Sequence, residues 1–129
     1  MNTEVNDKTT VTKAQIIDVV HQELQSTNRE VTKRESAELV ECVFRTLKSE
    51  IRSLRDQLDN ESEKFEADAS IKPERRLKIS GFGNFIIRYK RSRPGRNPQN
   101  NKKITISSRY VLTFKPSAVL KKAINDADQ

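Results

Sequence analysis

The stretch FIIRYKRSRPGRNPQNNKKITISSRYVLTF, residues 85–114, decides the fold. Its centre, Lys90 to Lys103, holds Lys90, Arg91, Arg93, Arg96, Lys102 and Lys103, no acidic residue, and no apolar side chain apart from Pro94 and Pro98, so it cannot pack into a core. On either side lie runs of strand formers, Phe85 to Tyr89 and Ile104 to Phe114. The two runs are expected to pair antiparallel, as a hairpin whose far end projects into solvent. In the first run, Phe85, Ile87 and Tyr89 alternate with Ile86, Arg88 and Lys90, so one face packs on helices and the other is increasingly basic. An arm that cannot bury itself is built to touch something else.

Around this hairpin the chain reads as α+β. Arg75 to Ile79 is a short strand, and Ser80-Gly81-Phe82-Gly83-Asn84 a turn whose glycines accept unusual backbone angles and let an anion approach the N–H groups. After Lys115-Pro116, Ser117 caps a short helix over 117–125, with Val119, Leu120 and Ile124 inward and Lys121 and Lys122 outward. Upstream, Thr12 and Gln15 form a capping box opening a helix over 12–25, with Ile16, Ile17, Val20 and Leu24 on one face. Thr32 and Glu35 open a longer helix over 32–58. Its apolar positions Ala37, Val40, Phe44, Leu47, Ile51, Leu54 and Leu58 repeat at alternating spacings of three and four, a heptad seam. A seam that long on a thin core is expected to pack first on the preceding helix and then on a second copy of itself or a close relative; the alternative is a helical hairpin within one chain. Cys42 and Val43 widen the face, and Cys42 reads as a small buried hydrophobe.

From Asp56 to Asp68 the chain turns acidic, with Asp56, Asp59, Glu61, Glu63, Glu66 and Asp68 against Lys64. The expectation is a helix ending near Asp59, then a mobile acidic insertion over 59–74 with Phe65 and Ile71 as weak anchors. It reads either as a solvated loop or as a segment that competes with DNA for the basic face or recruits another protein. Residues 1–11 and 126–129 read as tails, leaving one domain over 12–125 with the sheet and arm at 75–116.

Charge separates the halves. Residues 1–74 sum to −5, residues 75–125 to +14 and residues 126–129 to −2, within a total of +7. The basic half is a footprint for a polyanion. No amphipathic basic helix, apolar run or lipidation motif accompanies it, so nucleic acid is favoured over a membrane. Only 33% of the 129 residues are hydrophobic and as many are charged, which points to a core shared with a partner chain. His21 is the sole histidine and Cys42 the sole cysteine, with no nucleophile and base at useful spacing, so an enzyme, a metal, a cofactor and a small-molecule substrate are all unexpected. The polar N-terminus offers no signal-peptide core, which suggests a cytoplasmic protein. An RNA-binding module would need exposed aromatics, for which Tyr89 and Tyr110 are the candidates. A protein-interaction domain acting through the seam and acidic insertion is a third possibility.

The runs KISGFGNF (78–85), RPGRNP (93–98) and TFKPSAVLKKAI (113–124), in that order, resemble the bacterial HU and integration host factor family. The resemblance extends more loosely over Thr12 to Ile51 and excludes the N-terminal tail and residues of about 53–74. It implies an intertwined dimer with a helical body, and a three-stranded antiparallel sheet per subunit extended into a long β-ribbon arm that wraps DNA. Such proteins bind the minor groove and bend the duplex with apolar wedges. By the same resemblance Pro98 matches the arm-tip proline that intercalates. Arg93, Arg96 and Asn97 match residues that follow the groove, while Arg88, Lys90, Arg91, Lys102, Lys103 and Arg109 line the ribbon and its base. Thr12, Lys13, Ser80, Gly81, Lys115, Lys121 and Lys122 are implied phosphate contacts of the body. Val40, Phe44, Leu47, Ile51, Phe82, Phe85 and Phe114 fall in the dimer core. The implied setting is the nucleoid, and the partners are duplex DNA and an identical or related subunit. Asn100-Asn101 stands where the family has Thr-Gly, Ser117 where it has Gly, and the connection after the long helix is about 20 residues longer than the family pattern.

Overall fold

A computed structural model describes residues 9–126. The element order is α1 (Lys13–Ser26), α2 (Lys33–Asn60), α3 (Ser62–Ala67), β1 (Glu74–Ile79), β2 (Gly83–Lys90), β3 (Arg93–Arg96), β4 (Lys103–Ile106), β5 (Arg109–Pro116) and α4 (Ala118–Asn125). The chain divides into two compact units at Lys48/Ser49, inside α2. Most of the two expected tails lies outside the described residues.

In the first unit both capping boxes form. Thr12 Oγ1 accepts from the Gln15 amide while Gln15 Oε1 accepts from the Thr12 amide, and Thr32 and Glu35 repeat the exchange at the start of α2. Glu35 is held below the usual carboxylate range by these bonds from Thr32. The hairpin is tied by an ion pair between Lys13 and Glu41 at 2.5 Å, another between Lys33 and Asp18, and a hydrogen bond between His21 Nδ1 and the fully buried Ser36 at 2.9 Å. Little else is covered: Val40 is buried, but Ile16, Leu39 and Val43 are exposed around an open apolar groove shared with Val20 and Phe44, and Val19 is exposed as well. Cys42, expected to be buried, is exposed, because it lies two residues from Val40 and two from Phe44 and so points away from the seam.

In the second unit β1, β2 and β5 form an antiparallel sheet in the order β1-β2-β5, while β3 and β4 pair as a separate two-stranded ribbon. The sheet's core-facing side carries Ile87 and Tyr89, which cluster with Leu58 and Phe65; Ile51, Leu54, Ile71 and Tyr110 pack around them. This corrects the reading of residues 59–74. The segment is no mobile connection: α2 runs to Asn60, α3 follows, and Phe65 at 1% exposure is among the most buried side chains described. Six residues cannot hold a helix in water unaided, so packing maintains α3. The acids have specific acceptor roles. Asp59 accepts from the Tyr110 hydroxyl at 2.5 Å, Glu66 from the Tyr89 hydroxyl at 2.6 Å, and Glu61 from Arg75 at 2.8 Å. Arg55 lies over the Tyr110 ring at 5.8 Å.

The turn between β1 and β2 is as compact as its glycines suggest. Gly81 has φ +77°, and a side chain on Gly83 would sit 2.5 Å from the Lys115 carbonyl oxygen and 2.7 Å from the Phe114 ring. Beyond the sheet, Ser117 caps α4 by accepting from the Leu120 amide at 3.1 Å, so Ser in place of Gly leaves that helix start intact.

Candidate nucleic-acid interface

The arm is built from two short strands and a tip ordered by asparagines. Arg93 pairs with Ile106 and Arg96 with Lys103, and Pro94 sits in β3, a position tolerated because each strand of a ribbon has a free edge. At the tip the Asn97 amide donates to the Lys102 carbonyl at 2.9 Å and Asn97 Oδ1 accepts from the Gln99 amide at 2.9 Å. Asn100 Oδ1 accepts from the Lys102 amide at 3.0 Å. Asn101 takes φ +58°, a left-handed conformation that asparagine tolerates better than most residues and that glycine would otherwise supply. Pro98 is exposed at this tip, flanked in sequence by Asn97 and Gln99.

The return strand is interrupted. The run expected to be continuous from Ile104 to Phe114 breaks at Ser107-Ser108, opposite a break at Arg91-Ser92, so the ribbon is joined to the body sheet by two residues on each strand. Neither serine favours strand through a branched or aromatic side chain.

Registers assign the face of the body sheet opposite Ile87 and Tyr89. Lys78, Asn84 and Lys115 lie in one cross-strand row; Arg76, Ile86 and Thr113 in the next, where Ile86 is itself fully buried; Glu74, Arg88 and Val111 in the third; Lys90 is opposite Arg109 at the base of the arm. Like charges directly opposite one another cost stability, so the Lys90–Arg109 pair does not serve the fold. Among the described residues, Lys90, Arg93, Arg96, Lys102, Lys103, Arg109, Lys115, Lys121 and Lys122 have no ion-pair partner. Arg76 and Lys78 join this face although sequence reasoning did not single them out; the alternation that placed Arg88 there was the available signal.

Other expected contacts are differently engaged. Arg88 donates to Glu74, 3.4 Å away, and Glu74 also accepts from Arg76 at 2.8 Å. Its side chain is only 10% exposed, and its carboxyl lies below the usual range chiefly through the Arg76 bond. Arg91 donates through Nε to the Phe65 carbonyl and through Nη2 to the carbonyls of Asp68 at 3.0 Å and Ile71 at 2.6 Å. Its guanidinium is turned into the insertion. Lys13 is paired with Glu41, so of the helix-terminus candidates Thr12 and Lys13 the cation is already matched, while Ser80 and Gly81 remain exposed at the β1–β2 turn. On the inner face the Phe114 ring meets Phe82 at 5.3 Å and Phe85 at 5.0 Å, both tilted, with Phe82 45% and Phe114 38% exposed. Tyr89 and Tyr110 are 5.5 Å apart, both hydrogen-bonded to insertion acids, which leaves neither as a free platform for a base. Among the described residues no group of three or more His, Cys, Asp or Glu is placed to hold a metal ion, and no helix is long and apolar enough to cross a membrane.

This arrangement agrees with comparisons of sequence and fold. The family model described as "Bacterial DNA-binding protein" matches residues 62–125. The integration host factor subunit alpha of an Anaeromyxobacter species is 42% identical over 118 residues, covering 92% of this chain and 94% of that protein. The subunit alpha of Myxococcus xanthus is 44% identical over 115 residues, 89% of this chain and 70% of that one. A cocrystal structure of Anabaena HU with DNA superposes with a TM-score of 0.59 at 20% identity, covering 89% of this chain and 98% of that chain, a likeness that speaks to the fold alone. With relatives this similar over nearly the whole length, the chain belongs to the bacterial HU and integration host factor family of DNA-binding proteins.

Proposed function

We propose that the protein is an architectural DNA-binding subunit that works as a dimer, binds duplex DNA in the minor groove and bends it by inserting Pro98 between base pairs. The family is one of DNA-binding architectural proteins rather than enzymes. The observation that carries the finer reading is the placement of Pro98, exposed at the tip of a ribbon whose flanking cations have no acidic partner. A proline ring is flat, rigid and has no backbone donor to desolvate. Unstacking a base step costs a few kcal/mol, which the bend repays by bringing more phosphates onto Arg93, Arg96, Lys102, Lys103, Lys90 and Arg109. Lys78, Lys115, Lys121 and Lys122, with the exposed turn at Ser80 and Gly81, offer further phosphate contacts on the body.

Dimerisation is supported by what each unit leaves uncovered. The first exposes Ile16, Leu39 and Val43, and the second exposes Phe82, Leu112, Phe114, Val119 and Ile124, far more apolar surface than so small a chain can leave in water. A partner subunit, identical or related, covers these together with the half-buried Phe44, Leu47, Ile51 and Phe85, while Val40 is already buried within the chain. Action on DNA in the nucleoid, and so in the cytoplasm, follows from this reading.

The two alternative readings lose support. The tyrosines an RNA module would use are engaged within the chain, and the acids a protein-recruiting insertion would display at Asp59, Glu61 and Glu66 are occupied by Tyr110, Arg75 and Tyr89. A titration of labelled duplex DNA, with RNA as competitor and salt varied, tests the proposal. Neutralising ~6–10 phosphates predicts a loss of roughly 10³ to 10⁵ in affinity between ~50 and ~200 mM salt. A shallow slope, or RNA competing as well as DNA, contradicts it.

A further inference from the structure

We propose that α3 and the loop at 68–71 form a brace that fixes the direction in which the arm leaves the body, with Arg91 as its positioning residue rather than a phosphate contact. The ribbon needs such a device. Body and arm ladders both stop at residues 91–92 and 107–108, so without other support the arm would pivot on two short stretches of chain.

The insertion grips one of those stretches from two sides. Arg91 spreads its fork over the carbonyls of Phe65, Asp68 and Ile71. The Phe65 carbonyl belongs to the last turn of α3, where helix carbonyls lack internal partners and the dipole favours a cation. Glu66 accepts from the Tyr89 hydroxyl, at the end of β2, and from Ser92 Oγ at 3.4 Å, inside the hinge itself. The loop's shape is secured by Asp68 Oδ1, which accepts from the Ser70 amide at 3.0 Å and hydroxyl at 2.7 Å. The brace is seated through Phe65, whose ring meets Tyr89 at 6.0 Å in the core. The acidic insertion therefore acts on the DNA-binding arm through mechanics, with Asp59, Glu61, Glu66 and Asp68 bonded within the fold.

Guanidinium geometry makes this distinguishable from a phosphate contact. Lysine keeps the charge but presents a single point donor that cannot span three carbonyls. Two measurements on full-length Arg91→Ala and Arg91→Lys variants decide the matter: backbone amide order parameters at Ser92, Arg93, Ile106 and Ser108 without DNA, and the salt slope of duplex binding. Under the proposal both variants lower the order parameters at these sites, from near the rigid value of about 0.85 toward the flexible range below about 0.6, and neither changes the salt slope. If Arg91 contacts phosphate, Arg91→Lys matches the wild type in both measurements and Arg91→Ala reduces the slope by about 1, which overturns the proposal. Should the Arg91 variants fail to fold, Glu66→Ala with Ser92→Ala must loosen the same amides; unchanged order parameters there overturn it too. The proposal's consequence for DNA rests on the bending reading above, but the order parameters are read without DNA, so a wild type that fails to bend DNA sinks that reading and leaves the brace to its own test.

Discussion

Phe65→Ala offers the sharpest test of the fold around the arm. Phe65 is 1% exposed, and removing a buried phenylalanine ring costs about 3–5 kcal/mol through lost transfer energy and the cavity left behind. Its tilted contact with Tyr89 at 6.0 Å accounts for about 0.5–1.5 kcal/mol of specific ring interaction within that loss. Nor can the site collapse to compensate, because α3 is six residues long and persists only while its one buried side chain is seated. The expected destabilisation is therefore in the upper part of the range, about 4–5 kcal/mol per subunit. Urea unfolding followed by circular dichroism reads it, with wild type and variant at one protein concentration because the proposed dimerisation would contribute to the midpoint. The variant should also loosen the arm, since the carbonyls that Arg91 grips belong to the same segment. Were residues 61–72 a solvated connection, the substitution would cost within about 0.5 kcal/mol, as exposed changes usually do. A measured loss below about 1 kcal/mol refutes the packed insertion.

Other expectations follow from the same contacts. Glu74→Gln frees Arg76 and Arg88 from their acidic partner; duplex binding should become more salt-dependent while thermal stability falls by a few degrees, and an unchanged slope would show that those arginines do not reach phosphate. Gly83→Ala drives a methyl group against the Lys115 carbonyl and the Phe114 ring, so a loss of about 1–3 kcal/mol is expected in denaturant unfolding. Tyr110 has its hydroxyl pushed up to about 12, first by burial and then by donation to Asp59. A raised value means the folded state holds the proton more tightly, so this contribution is complete below about pH 10 and disappears as the pH climbs toward 12. Phenolate absorbance should show both tyrosines titrating above the ordinary value, Tyr89 through its bond to Glu66, with the Tyr110 step moving down in Asp59→Asn. Glu74 runs the other way: its carboxyl is lowered from 4.5, so its contribution is present above that value and is lost as the pH falls through the folded-state value.

Much of this was legible in the residues. The capping boxes at Thr12 and Thr32, the alternation across β2 and the basic arm all rest on short-range rules of spacing and polarity, and they appear where those rules put them except at Ile86, which is buried on the otherwise basic face. The insertion was not legible, because its six acids dominate any compositional reading. The signal lay in Phe65 falling one heptad after Leu58, a continuation of the seam across Glu61. Arg91 was beyond sequence reasoning for a different cause. Its acceptors are main-chain carbonyls, which no side-chain pattern reports, and a cation among cations looks like its neighbours until the fold brings residues 65–71 beside it. Cys42 misled through proximity, since adjacency to apolar residues in sequence does not place a side chain on their face of a helix.

Fluorescence transfer across an end-labelled duplex, compared between wild type and Pro98→Ala, tests the central claim most directly. The account predicts a pronounced bend with the wild type, and with the variant a smaller bend, weaker binding and a shallower salt slope, because an unbent duplex reaches fewer of the flanking cations. An unchanged bend angle and affinity in Pro98→Ala would contradict the wedge and, with it, the role assigned to the arm.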